Sequence, residues 1–187
     1  MPQKQEKLVK LIRRLSYREG EFVLASGQKS SFYIDLKATT LHPDGAALIG
    51  ELALNEINER SIEVDAVGGM TLGADPIATA VSLAARSKGR FLPAYIVRKE
   101  PKSHGTSKYI EGTENLKPGA RVIVVEDVVT TGGSSKKAIE RLQSDGYKPI
   151  VVFAVVDREQ GAKAVFEAMG LQFVALTTIS EIREAKE

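Results

Sequence analysis

Glutamate and aspartate stand side by side at positions 126 and 127, between an apolar run and a loop of small residues. The segment reads Val122-Ile123-Val124-Val125-Glu126-Asp127-Val128-Val129-Thr130-Thr131-Gly132-Gly133-Ser134. Its pattern predicts a buried strand, two acids, a loop of hydroxyls and glycines, and then a helix. Gly132 and Gly133 let backbone N–H groups approach an anion. Thr130, Thr131 and Ser134 add hydroxyl donors, and the helix adds its positive end. Such a loop cradles a monophosphate. Two carboxylates beside it would repel an anion, but carboxylates accept hydrogen bonds from neutral hydroxyls. A sugar phosphate reconciles the two: the diol of a ribose 5-phosphate on Glu126 and Asp127, its phosphate on residues 128–134. The spacing is not that of a Walker loop, since Gly132-Gly133 is followed by Ser134-Ser135-Lys136, and it is not a dinucleotide turn.

A second cluster is cationic. Residues 98–105 read Arg98-Lys99-Glu100-Pro101-Lys102-Ser103-His104-Gly105. Arg98, Lys99, Lys102 and His104 would repel one another unless an anion gathers them, and pyrophosphate is such an anion. Proline, glycines and polar residues through Gly112 predict a long exposed loop, and long loops often carry function. A third candidate is Arg158, which follows Asp157 at the end of an apolar run.

The elements that must position these groups are legible as alternating patterns. Leu8, Leu11, Ile12 and Leu15 have helical spacing. Segments 22–24 and 32–36 flank a turn-rich stretch and predict a hairpin. From residue 43, helices expected near 43–59, 74–88, 134–145 and 160–169 alternate with apolar runs at 62–67, 91–97, 121–125, 150–156 and 173–177. Pro43 and Pro76 sit near two helix starts, where a missing N–H costs least, and His42 reads as a helix-start residue. This alternation predicts an α/β fold with a mainly parallel central sheet flanked by helices. Four of the apolar runs end in glycine, charge or hydroxyl, so polar groups collect at one sheet edge, where ligands of open α/β sheets bind.

Composition bounds the reading. The 187 residues suit one domain, 1–187, with an N-terminal helix and hairpin over 1–42 and a core over 43–187. There is no cysteine, which excludes disulfides, thiolate metal sites and cysteine nucleophiles. Two histidines, His42 and His104, are too few for a multi-histidine metal cage. The net charge of +2 does not argue for nucleic acid or an anionic membrane, and neither is expected as a partner. No apolar run has the length of a membrane span, and the polar start Met1-Pro2-Gln3-Lys4 is unlike a signal peptide. A cytoplasmic protein is expected.

The segment 122–134 resembles the phosphoribosyl-pyrophosphate motif of type I phosphoribosyltransferases. The basic loop is similar to the R-K-x-x-K-x-H-G signature of the orotate phosphoribosyltransferases, with all fixed positions present. Ser26-Gly27-Gln28-Lys29-Ser30-Ser31-Phe32-Tyr33 resembles that family's S-G-x-K-S-x-x-Y hood, and Asp157-Arg158 its D-R pair. The resemblance spans roughly residues 20–160. It implies the type I phosphoribosyltransferase fold with a small N-terminal hood. The implied reaction joins orotate to 5-phosphoribosyl 1-pyrophosphate (PRPP), giving orotidine 5′-monophosphate and pyrophosphate, a step of de novo UMP biosynthesis. It implies catalytic roles for Lys99, Lys102, His104, Glu126 and Asp127. It assigns PRPP to Arg98, Lys99, Lys102, His104, Glu126, Asp127, Val128, Val129, Thr130, Thr131, Gly132, Gly133 and Ser134. Orotate would meet Thr130, Arg158, Lys29, Phe32 and Tyr33. Mg²⁺ is implied, bound mainly through PRPP and water, with no direct protein ligand named. A homodimer is implied, its loop 98–112 shared across subunits. Two positions depart from some members: Ala25 stands where a lysine touches the cosubstrate, and Leu72-Gly73 where Tyr-Lys meets pyrophosphate. A transferase for another base and a PRPP-sensing regulator of the same fold are the alternatives.

Overall fold

A computed structural model describes residues 3–23, 27, 29–101 and 108–186. In chain order the elements are α1 (Gln3–Leu15), β1 (Tyr17–Val23), β2 (Lys29–Ile34), α2 (Lys37–Thr40), α3 (Pro43–Glu59), β3 (Ala66–Met70), α4 (Ala74–Ser87), β4 (Ala94–Val97) and β5 (Ile110–Glu111). A 3-10 turn (Thr113–Asn115) follows, then β6 (Arg121–Val129), α5 (Gly133–Ser144), β7 (Lys148–Asp157), α6 (Ala162–Ala168), β8 (Gln172–Thr178) and α7 (Ile179–Glu184). Six strands form one sheet in the order β5-β4-β3-β6-β7-β8. Neighbours run parallel except β5, which pairs antiparallel with β4.

The period-two alternation of the central strands decides the layering. Ile123 and Val125 of β6 join Phe153 and Val155 of β7 in a core with α1, α3, α4 and α7. Val122 and Val124 point the other way, with Val152 and Ala154, into a core with α5 and α6. Both faces are therefore covered, as a parallel sheet requires. β3 leads outward to β4 on one side and pairs with β6 on the other, so the strand order reverses between β3 and β6. The carboxyl ends of these two strands frame a crevice of the kind that holds ligands.

The expected hairpin is present as the separate antiparallel ribbon β1–β2, with a register shift between Glu19 and Phe22. It starts earlier than its apolar residues indicate, at Tyr17. His42 does open a helix: its Nδ1 accepts the Asp44 N–H at 3.2 Å, and Pro43 takes the first helical position.

Boundaries differ where packing overrides hydrophobicity. The strand expected at 62–67 begins at Ala66 and continues through Gly68 and Gly69. A Cβ there would stand 2.2 Å from the Tyr95 carbonyl or 2.1 Å from that of Val125, so the glycines serve close strand packing rather than a turn. The run at 91–97 contributes only Ala94–Val97, with Phe91 exposed ahead of Pro93. The strand at 121–125 runs on to Val129, which places both acids within β6. The short elements α2, β5 and α7 were not expected. Among the described residues, no helix is long and apolar enough to cross a membrane.

Candidate active site

Because Glu126 and Asp127 are consecutive in a strand, they face opposite sides of the sheet. Glu126 turns toward α5, where the buried Ser135 hydroxyl donates to its Oε2 at 2.6 Å. Burial pushes the Glu126 carboxyl up to about 7; the Ser135 hydrogen bond opposes this, the charge of Asp127 adds to it, and the positive charge of Lys99 opposes it again. Asp127 turns toward the turn between β3 and α4. Its Oδ1 accepts the Val128 N–H at 2.8 Å, and its carboxyl group lies against Gly73, where a Cβ would stand 2.6 Å away. The Thr71–Leu72 peptide of that turn is cis, and Thr71 Oγ1 donates to Asp75 Oδ2 at 2.7 Å.

Beyond the acids the chain forms the cradle expected of it. Glu126 and residues 128–134 line a cavity of about 200 Å³. Gly132 has φ +83°, a conformation that disfavours a side chain, and passes so close to Phe166 that a Cβ would stand 2.6 Å from its ring. α5 starts at Gly133, so its first N–H groups have no carbonyl a turn earlier to bond.

A guanidinium stands beside this cradle. The Arg158 N–H donates to the Val129 carbonyl at 2.9 Å, which fixes the end of β7 to the end of β6. The Arg158 side chain lies over the Phe32 ring of the hairpin, 4.8 Å from its centroid. Its Nε is buried without a hydrogen-bond partner among the described residues, and burial lowers its pKa. Phe32 in turn stacks on Tyr17 at 5.7 Å. The next residue, Tyr33, instead packs on Phe22 at 5.6 Å and is 45% exposed.

The basic segment leaves the sheet at the end of β4. Lys99 is exposed, yet its charge acts on Glu126. The Arg98 guanidinium donates to Glu111 Oε1 at 3.1 Å and to the Glu100 carbonyl at 3.2 Å, so it is engaged at the base of its own loop. Lys102 and His104 lie outside the described residues. Lys29 is exposed and lines another cavity, of about 360 Å³, in the hairpin with Phe22 and Val23. The structure therefore gathers the acids, residues 128–134, Lys99, Arg158 and Phe32 at one edge, and leaves Lys29 apart.

The chain is similar to known proteins over most of its length. A phosphoribosyl transferase domain family matches residues 37–172. The orotate phosphoribosyltransferase of Nostoc sp. is 49% identical over 180 residues, covering 96% of this chain and 85% of the relative. The chain belongs to the orotate phosphoribosyltransferase family. A solved structure of the Mycobacterium tuberculosis orotate phosphoribosyltransferase superposes with a TM-score of 0.84 at 39% identity, over 96% of this chain and 98% of that one. A complex of the same enzyme with PRPP gives 0.79 at 36%, over 96% and 99%. The fold is that of the type I phosphoribosyltransferases.

For an orotate phosphoribosyltransferase, several residues escape a reading of motifs. Ser135 looks like one more small residue of the Gly-Gly-Ser-Ser run, and only the phase of α5 turns it onto Glu126. Gly73 makes room for Asp127 where some members carry a lysine. Lys37 is bonded to Asp35 at 2.7 Å and feels the charge of Asp127. Its signal in the sequence was a cation soon after the hood strand.

Proposed function

We propose that this chain transfers the 5-phosphoribosyl group of PRPP to orotate, with release of pyrophosphate. The observation that carries this is the adjacency of two unlike receptors: a hydroxyl- and glycine-lined cradle with Glu126 on its wall, and a guanidinium stacked on Phe32 whose Nε has no partner among the described residues. The first fits a ribose phosphate, and the second fits a planar ring bearing a carboxylate.

In this reading the 5-phosphate sits on residues 130–134 and the ribose hydroxyls donate to Glu126 and Asp127. Arg158 takes the orotate carboxylate, with Phe32 and Thr130 against the ring; Tyr33 and Lys29 would contribute only if the hood moves over the base. A ring N–H of orotate gives up its proton, to pyrophosphate or solvent, as its nitrogen bonds to C1′ and the C1′–O bond to pyrophosphate breaks. Positive charge develops on the ribose, where the acids oppose it, and negative charge on the leaving group, where cations oppose it. Lys99 supplies one such cation, and Arg98 would have to exchange Glu111 for pyrophosphate to supply another. Lys102 is assigned the same role, and His104 that of a hydrogen-bond or proton donor.

Mg²⁺ is proposed to arrive with PRPP. The carboxylates of the site are the consecutive pair Glu126 and Asp127 near the end of β6. That donor set suits an ion that keeps its waters and leans on substrate phosphates. Bound so, it would neutralise the departing pyrophosphate.

A homodimer and a cytoplasmic location belong to the same proposal. Leu41, Leu72 and Leu83 are 71%, 70% and 65% exposed and line a largely apolar groove of about 590 Å³. The groove includes the turn that packs on Asp127, so a second copy seated there would reach the site.

The test is to follow orotate's ultraviolet absorbance on mixing with PRPP and Mg²⁺, with uracil and hypoxanthine as controls. Loss of the orotate signal, dependent on both additions, is the expected result. Turnover of a control base alone would reassign Arg158, and PRPP binding without any turnover would favour a sensor.

A further inference from the structure

Six residues beyond Ser135 on α5, Arg141 reaches back to the start of the basic segment. Its Nη1 donates to the Arg98 carbonyl and its Nη2 to the Lys99 carbonyl at 2.9 Å. The same guanidinium lies 4.2 Å from the centroid of the Tyr109 ring, and Nη1 touches Met70 Sδ at 3.6 Å. Tyr109 is where the chain returns, and its carbonyl accepts the Arg98 N–H at 2.8 Å. One side chain thus grips both ends of the segment between β4 and β5 and the end of β3.

We propose that Arg141 is a positioning residue that fixes the backbone from which Lys99 reaches toward Glu126 of β6. The β4–β5 register ends with the Val97–Ile110 pair and one further backbone bond, from the Arg98 N–H to the Tyr109 carbonyl, so among the described residues no strand pairing holds the chain at Lys99. Lys99 is exposed, and a long side chain on an unheld backbone would spread its charge over a wide volume. Two donors on consecutive carbonyls fix its backbone instead. They come from the helix whose first turn forms the cradle and whose Ser135 holds Glu126, so one rigid element sets both the acid and the cation that faces it. The planar fork of arginine serves two carbonyls at once, while a lysine is a point donor that serves one. This inference rests on the assignment of Lys99 to the departing pyrophosphate.

The experiment is a double-mutant cycle on the full-length protein with Arg141→Met, Lys99→Met and both, measuring kcat and both KM values together with the thermal midpoint. Lys99→Met should lower kcat, and Arg141→Met should lower it about tenfold with the orotate KM within about twofold; in the double variant the two effects should not multiply. Effects that multiply, or an Arg141→Met variant with parental kcat, would make Arg141 merely structural and overturn the proposal while leaving the role of Lys99 intact. A Lys99→Met variant with unchanged kcat would remove the role of Lys99 and the proposal with it. If Arg141→Met does not fold, Arg141→Lys keeps the charge and stem and carries the same cycle.

Discussion

Burial holds the Glu126 proton to higher pH than an ordinary glutamate holds its own. Unfolded, it ionises near 4.5; folded, near 7, chiefly because burial penalises the charge. Between those values the folded chain binds more protons than the unfolded one, so this residue's contribution to stability falls as pH rises from about 4.5 to about 7. Above that it stays flat, and the whole shift amounts to at most about 3 kcal/mol. Glu126→Gln should lack this slope and be at least as stable as the parent above pH 7, as denaturant titrations at pH 5 to 8 would show. Equal slopes would mean that the carboxyl is ionised throughout. Substrate moves the same equilibrium, because ribose hydroxyls donate to the charged form. PRPP affinity in Mg²⁺ should therefore weaken from pH 8 to 6 more steeply in the parent than in Glu126→Gln. Arg158 makes a simpler prediction. Arg158→Ala should raise the orotate KM about 10- to 100-fold, the worth of a charge-assisted pair, with the PRPP KM within about twofold. An equal loss for both substrates would mean that Arg158 does not read the base. At this scale the sequence singles out 126–134 by the order of acids, hydroxyls and glycines after an apolar run, and Arg158 as an arginine at the end of another, and the structure brings the two segments together. Ser135 and Arg141 were not legible. What they touch depends on helix phase and on how α5 lies across the sheet, and neither leaves a motif.

The elements that carry these residues were legible wherever they run for about two periods of their own repeat or more. The long helices α3, α4 and α5 and the core strands β6, β7 and β8 were visible as periodicity. α2, β5 and α7 have 4, 2 and 6 residues, too few to show one; α7 is instead set locally, by the capping box of Thr178 and Glu181. The end of β6 was misjudged for a different reason. Acids look like the close of a strand, but β7 continues to pair alongside as far as Val129 and Asp157. That extension matters chemically, since acids on a paired strand hold their geometry better than acids on a loop. The turn into α5 is the weakest joint of this arrangement. Gly132→Ala would put a methyl into the Phe166 ring in a backbone conformation that resists it. We expect a loss of about 1–3 kcal/mol in stability and a PRPP KM raised more than that of orotate. Parental values for both would show that the turn relaxes freely and that its shape does not set phosphate binding.

At the scale of the whole molecule, the sheet brings the ends of β3, β6 and β7 together at its switch point, and the outer face of that edge is apolar. Leu41, Leu72 and Leu83 come from the turn after α2, the turn after β3 and the length of α4, three places with no reason to share a surface unless something covers it. Burying a leucine contributes about 1.5–3 kcal/mol, so three from each of two copies would support association at micromolar concentration. Sedimentation equilibrium should then find a dimer. Leu83→Glu would seat a carboxylate in the groove and should give a monomer. Leu83 belongs to none of the receptors for phosphate, ribose or base, so any loss of turnover in that monomer would report the missing partner. A monomeric Leu83→Glu with parental kcat would confine the chemistry to one chain, and a variant that remains dimeric would move the interface to another face.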